Sequence, residues 1–342
     1  MINGDMSNKY VIGVDLGGTF IKFGYARANG ELLFRDKIPT RVSHGAETIL
    51  TDIANKILEL IEKNGNKKED VLGCGMGCPG TVDMEFRNVI FAPNLKWNNV
   101  NVKDTIEKLT GITTYIDNDA NLAGLGEFWL GAGRGAHDFI CVTLGTGIGG
   151  GIIINGQMLR GQNNNAAEIG HMTIDINGQQ CSCGNYGCWE RYGSATALVN
   201  RVLSKLSVSQ SQRSKINSTI FDLCSNDLSK LNCEIIFEAA RLNDPIAKNA
   251  VNLQVEYIAI GLVNLIYLCN PQKIVIVGGL ANAVDDLIKP VVEAVMKKAP
   301  KVSTSGLEIT TGKLGGDSGT IGAVYLVLNE TSKEGRGMNE KN

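Results

Sequence analysis

The first forty residues alternate short β-branched or apolar runs with glycine-centred breaks. Residues 10–15, 19–27 and 31–38 form such runs, separated by Gly17-Gly18 and Asn29-Gly30. Extended apolar runs punctuated by these turn pairs predict a three-stranded antiparallel meander. A helical spacing of apolar residues follows over 46–62, then a strand over 71–75, a loop through Pro79-Gly80, a helix near 102–109 and a strand over 113–116. Periods of 2 and 3.6 residues in alternation predict a mixed α/β architecture.

The opening pattern returns in the second half as a run over 138–144, a glycine turn over 145–151, a run to 154, Asn155-Gly156 and a run over 157–159. VDLGGTFIKFGYARANGELL and VTLGTGIGGGIIINGQML thus share strand, glycine turn, strand, Asn-Gly turn and strand. An internal duplication is the simplest account. Two lobes that each open with a glycine-turned hairpin can present backbone N–H groups to one polyphosphate in a cleft between them. The plainer alternative is two tight hairpins with no ligand, since such turns are common in hairpins, and the repeat weighs against it. The remainder reads as helices over 194–206, 234–241, 244–268 and 284–298, with Pro245 suited to a first helical turn. Residues 273–277 and 307–311 read as strands, the former ending in Gly278-Gly279, and 319–328 as an apolar helix before a polar tail expected to fray.

A length of 342 residues exceeds one ordinary domain. The expected division is an N-terminal α/β lobe over 1–119 and a larger lobe over 120–318, with a terminal helix over 319–330 packing back on the first. Lys and Arg number 33 against 35 Asp and Glu, which provides no general attraction to nucleic acid or an anionic membrane. The opening MINGDMSNKY has no basic-then-apolar export pattern, so a cytoplasmic protein is expected. The longest apolar run, over 258–269, is interrupted by Gly261 and Asn264 and reads as a buried helix too short to cross a bilayer.

Nine cysteines without an export pattern make a disulfide framework improbable. Three of them, Cys181, Cys183 and Cys188, stand close after His171. Three thiolates and an imidazole fill a four-coordinate shell with no place for water, which predicts a structural Zn²⁺ ion and not a catalytic one. In the run Asp117-Asn118-Asp119-Ala120-Asn121 a strand end meets a helix start, where Asp117, Asn118 or Asp119 can cap the helix and a carboxylate can accept a proton. Asn94, Glu168 and Glu190 are directional partners for hydroxyl groups, the two glutamates flanking the metal-ligand segment 168–190. Gly145 to Gly150 also satisfies a dinucleotide glycine pattern, but another strand follows it where that pattern needs a helix. The sequence contains no GxxxxGK[ST] run.

Taken together, DLGGT (15–19), GCPGTVD (77–83), PNLKW (93–97), NDAN (118–121), LGTGIGGG (144–151), EIGH (168–171) and CSCGNYGCWE (181–190) resemble the ROK family of sugar kinases and repressors, over nearly the whole chain. The resemblance implies the two-lobed actin-like ATPase fold, ribonuclease H-like, and ATP-dependent phosphorylation of a hexose. Its segments look most like bacterial glucokinases. Another hexose or an N-acetylhexosamine (N-acetylmannosamine, fructose, mannose) is the alternative acceptor, polyphosphate the alternative donor, and a non-catalytic sugar-responsive regulator the more distant reading. The resemblance makes Asp119 the general base and assigns the sugar to Gly80, Asn94, Asn118, Asp119, Glu168, His171 and Glu190. It surrounds the ATP phosphates with Gly17, Gly18, Thr19, Gly145, Thr146, Gly147 and Gly149, sets Asp15 near Mg²⁺ and Gly278 and Gly279 near the nucleoside, and implies a homodimer. The sequence departs from the family pattern at Asn163–Ala167, where glycines are common, and at Ser318, where alanine is common. The second is a small-for-small exchange expected to have little effect. An added DNA-binding helix pair, as in the family's repressors, is not expected before the strand at Tyr10.

Overall fold

A computed structural model describes residues 9–207 and 216–339. Most of the opening segment read for an export signal and the last three residues of the tail lie outside the described residues. The predicted meander is present as β1 (Tyr10–Leu16), β2 (Phe20–Arg27) and β3 (Leu32–Pro39), paired antiparallel. Helix α1 (Gly45–Lys63) follows, then β4 (Val71–Cys78), which pairs parallel with β1. Ile49, Ile53, Ile57 and Leu60 recur on one face of α1 and join a core with Ile12, Val14 and Met76. Each such side chain stabilises the fold by about 1.5–3 kcal/mol on full burial.

The stretch expected as a loop after Pro79-Gly80 instead carries a small antiparallel sheet, β5 (Thr81–Val82), β6 (Asn88–Ala92) and β7 (Trp97–Asn101). Its strands are short, and exposed apolar residues such as Ile90 and Phe91 break the inside-outside alternation that marks a strand in sequence. Helix α2 (Lys103–Thr110), β8 (Thr114–Asn118) and α3 (Asp119–Trp129) complete this part, and the first sheet has the order β3-β2-β1-β4-β8.

The repeat begins with β9 (Phe139–Leu144), β10 (Ile148–Ile154) and β11 (Gln157–Met158). Helices α4 (Glu190–Gly193), α5 (Ala195–Leu206), α6 (Ile220–Leu223), α7 (Cys233–Arg241) and α8 (Pro245–Cys269) precede β12 (Lys273–Val277). After α9 (Lys289–Lys298) and α10 (Lys301–Thr304) come β13 (Glu308–Thr311) and α11 (Ser318–Asn339). The second sheet has the order β11-β10-β9-β12-β13, which repeats the first element for element. The duplication read from two turn patterns therefore extends to the topology.

Two compact units result, one of residues up to 141, 151–167 and from 312 onward, the other of residues 142–150 and 168–311. The first takes in more of the chain than 1–119, because α3 packs against β4, β8 and α11. The approach of α11 is close. A β-carbon at Gly75 would lie 2.0 Å from the Ala323 carbonyl oxygen, and one at Gly322 would lie 1.7 Å from that of Leu122.

Three local expectations change. Residues 284–288 form a π-helical segment before α9, closed by an Ile288 N–H bond to the Ala283 carbonyl (3.1 Å), and Pro290 stands in the first turn of α9, where a missing N–H is tolerated. The polar tail continues α11 to Asn339, held by Ser332 Oγ bonding the Leu328 carbonyl (2.7 Å) and a Lys333–Glu330 pair (2.7 Å). Ser318 is no neutral stand-in for alanine. Its hydroxyl donates to Glu127 Oε1 (2.9 Å), a carboxylate that is 0 % exposed and also accepts the N–H groups of Ala132, Lys313 and Leu314.

Helix α8, with 25 residues, is long and apolar enough to cross a membrane, more than the interrupted run suggested. In this fold it is a core helix, packed against α5, α7 and α9 with Ile258, Leu262, Leu265 and Ile266 buried.

Candidate active site

In the first unit, β8 ends at Asn118, and that residue is the N-cap of α3. Its side-chain oxygen accepts the N–H groups of Ala120 (2.9 Å) and Asn121 (3.1 Å), and its amide nitrogen donates to the Gly80 carbonyl (3.0 Å). The cap role left open between Asp117, Asn118 and Asp119 thus falls to Asn118. Gly80 has φ +90°, and a β-carbon there would lie 2.1 Å from the Phe91 carbonyl oxygen, so glycine is required. Asp119 is the first helical residue, part-exposed, with Oδ1 accepting the Ala120 N–H at 2.9 Å. Asp117 is 0 % exposed and pairs with Arg160 (Nη2 to Oδ2, 2.7 Å), a partner that no motif or periodicity in the sequence announced. Asn94 lies exposed in the turn Pro93–Leu95.

The glycine turn of the same unit follows β1. Gly17 donates its N–H to the Phe20 carbonyl (3.1 Å), while no protein hydrogen bond engages the N–H groups of Gly18 and Thr19 among the described residues. Asp15 faces Lys22 across the hairpin (3.4 Å), and a β-carbon at Gly319 would lie 2.9 Å from the Asp15 carboxyl carbon. Asp15 therefore stands beside the start of α11.

In the second unit the turn after β9 has a similar economy. Gly145 donates to the Gly147 carbonyl (3.0 Å), Gly149 to Thr143 Oγ1 (3.0 Å) and Ile148 to Glu190 Oε2 (3.2 Å). The N–H groups of Thr146 and Gly147 carry no such bond among the described residues. Gly278, with φ +95°, packs on the Leu144 carbonyl, where a β-carbon would lie at 2.5 Å. The turn at Gly278-Gly279 is thereby held beside the one at Gly145.

His171, Cys181, Cys183 and Cys188 converge, with their ligand atoms all within 4.8 Å of one another. Cys183 Sγ lies 3.6 Å from Cys188 Sγ, and Cys181 Sγ lies 3.6 Å from His171 Nδ1. The edges of a tetrahedron with metal–sulfur bonds near 2.3 Å are about 3.8 Å, so the four fit a zinc ion and none of these contacts is a disulfide. Nδ1 is the ring nitrogen turned to the cluster. Glu190 links the cluster to the glycine turn, its Oε1 lying 3.9 Å from Cys181 Sγ while Oε2 holds Ile148. Burial pushes the Glu168 carboxyl above its ordinary value; the charge of His171 opposes that rise and the charge of Glu190 adds to it. Cys74, Cys78 and Cys141 are buried, and loss of water raises their thiols well above the ordinary range, so they serve as core and not as ligands.

The ROK family model matches residues 11–330. A glucokinase of Halalkalibacterium halodurans is 36% identical over 333 residues, covering 97% of this chain and 99% of that protein. A xylose repressor of Caldicellulosiruptor bescii is 30% identical over 330 residues, covering 96% of this chain and 80% of that protein. Among solved structures, a ROK glucokinase from Streptomyces griseus in complex with glucose and AMPPNP has 32% identity and a TM-score of 0.77, covering 93% of this chain and 98% of that one. The repeated sheet order and the match along nearly the whole chain lead to one conclusion: this chain belongs to the ROK family, with the actin-like ATPase fold.

Proposed function

We propose that the chain transfers the γ-phosphoryl group of ATP to the primary hydroxyl of glucose. The observation that carries this is the placement of Asp119 on the first turn of α3, framed by the Asn118 cap and the Gly80 carbonyl, in a chain similar to glucokinases. Asp119 takes the hydroxyl proton while the sugar oxygen bonds to the γ-phosphorus and the bond to the β-phosphate oxygen breaks, releasing ADP. Gly80, Asn94, Asn118, Glu168, His171 and Glu190 hold the sugar. With Nδ1 turned to the thiolates, His171 keeps Nε2 to meet a hydroxyl.

Of the two glycine turns, the N–H groups of Gly18, Thr19, Thr146 and Gly147 are those available to phosphate oxygens, because Gly17, Gly145 and Gly149 spend theirs within the protein. Gly278 and Gly279 serve the nucleoside. Asp15, the carboxylate next to the first glycine turn, would hold Mg²⁺, which neutralises charge on the phosphates when bound. His171, Cys181, Cys183 and Cys188 would hold a structural zinc ion that fixes the strip carrying His171 and Glu190. A cytoplasmic location and a homodimeric assembly complete the proposal.

The test is ADP release by zinc-replete protein with Mg-ATP and single sugars: glucose, mannose, fructose, N-acetylmannosamine and N-acetylglucosamine. Glucose should lead by kcat/KM. Another sugar in the lead would change only the acceptor, and silence on all of them would favour a sugar-responsive regulator, a reading supported by the similarity to a protein named as a xylose repressor.

A further inference from the structure

We infer that Arg160 is a positioning residue for the phosphoryl transfer, acting through the buried Asp117 to hold the segment that carries Asp119. This rests on the reading of Asp119 as the base. Asp117 is 0 % exposed, and a buried carboxylate needs a cation and hydrogen bonds around it. Oδ2 accepts from Arg160 (2.7 Å), and Oδ1 accepts from the Asn118 N–H (2.7 Å) and Asn121 Nδ2 (3.1 Å). Asn118 and Asn121 bracket Asp119 and Ala120, so the orientation of one carboxylate fixes both sides of the turn on which the base stands.

Arg160 reaches further than Asp117. Its guanidinium lies over the Phe86 ring (4.8 Å to the centroid), and Nη1 donates to Asn164 Oδ1 (3.1 Å). Asn165 Oδ1 accepts from Thr81 Oγ1 (3.1 Å), and Gly80, the neighbour of Thr81, accepts from Asn118 (3.0 Å). The contacts close a circuit through Arg160, Asp117, Asn118, the Gly80-Thr81 pair and the Asn164-Asn165 pair. Asparagines thus make the contacts in a loop where the family commonly has glycines. That loop runs in sequence directly to Glu168, so one guanidinium ties the base to the segment leading to a sugar ligand.

The variants Arg160→Lys, Arg160→Met and the double Arg160→Met/Asp117→Asn separate positioning from simple burial of charge. Lysine keeps the charge but not the fork that meets Asp117 and Asn164 together. Arg160→Met should lower kcat for sugar phosphorylation by about 10²-fold, the order expected for a reacting group displaced by about 1 Å, with KM for ATP unchanged. Arg160→Lys should fall between. Hydrogen exchange at the Ala120 and Asn121 amides should quicken in both. The double variant removes the stranded carboxylate and should regain thermal stability but not kcat.

Recovery of wild-type kcat in the double variant would overturn the inference, because the pair would then only neutralise a buried charge. Undiminished kcat in Arg160→Met, or unaltered exchange at residues 120 and 121, would also overturn it. If Arg160→Met does not fold, the lysine and double variants decide the question. If the wild type phosphorylates no sugar, the kinase reading fails by itself, and amide exchange in the same variants still tells whether Arg160 holds the turn.

Discussion

Asp119 and Ser318 show how much a single side chain decides. Asp119→Asn keeps the shape of the group but not its capacity to take a proton. It should lower turnover by about 10²–10⁴-fold while the unfolding temperature stays put. Near-normal ADP release would remove Asp119 from the role of base. Ser318→Ala takes one of four donors from the buried Glu127 carboxylate. Loss of a hydrogen bond to a buried charged group costs about 1–3 kcal/mol, which urea denaturation should register. The sequence marks Ser318 only as a small residue, since the glutamate that needs it lies 191 residues away.

Among the elements, α8 depends on its N-cap. Asp244 is 2 % exposed and accepts from the N–H groups of Ile246 and Ala247 as well as from Ser218 and Thr219. Burial by itself would raise its carboxyl, but these hydrogen bonds to the anion outweigh burial and hold it below the ordinary value. A carboxylate depressed in the folded state stabilises above its unfolded pKa, near 3.9, and loses that contribution as pH falls toward the folded value. Asp244→Ala should therefore cost about 2 kcal/mol at pH 7, and the gap from wild type should narrow steadily below about pH 4. A gap independent of pH down to acid unfolding would show that the anion is not what stabilises the cap.

For the molecule as a whole, the test lies in the metal proposed for the cluster of His171, Cys181, Cys183 and Cys188. Chelation should lower the unfolding temperature and raise KM for the sugar, because the ligand segment includes His171 and adjoins Glu190. Both should return on adding zinc. A chelated protein with unchanged stability and unchanged KM would leave the four residues without a resident ion. The effect on KM for ATP should be felt as well, since Glu190 also braces the glycine turn through Ile148.

The linear order of residues was enough to specify the two meanders, the helical spacing of α1, the grouping of His171, Cys181, Cys183 and Cys188, and the strand-to-helix run at 117–121, because each is a local pattern of period, turn chemistry or spacing. It also marked Gly80 as a turn residue. What it left open needed contacts between distant segments. Only the fold pairs Asp117 with Arg160, 43 residues on, chooses Asn118 over its neighbours as the cap and gives Ser318 to Glu127. The small sheet β5-β6-β7 and the extra length of α11 were hidden for a related reason: short exposed strands and a polar helix carry little periodicity, so tertiary packing and local hydrogen bonds decide them.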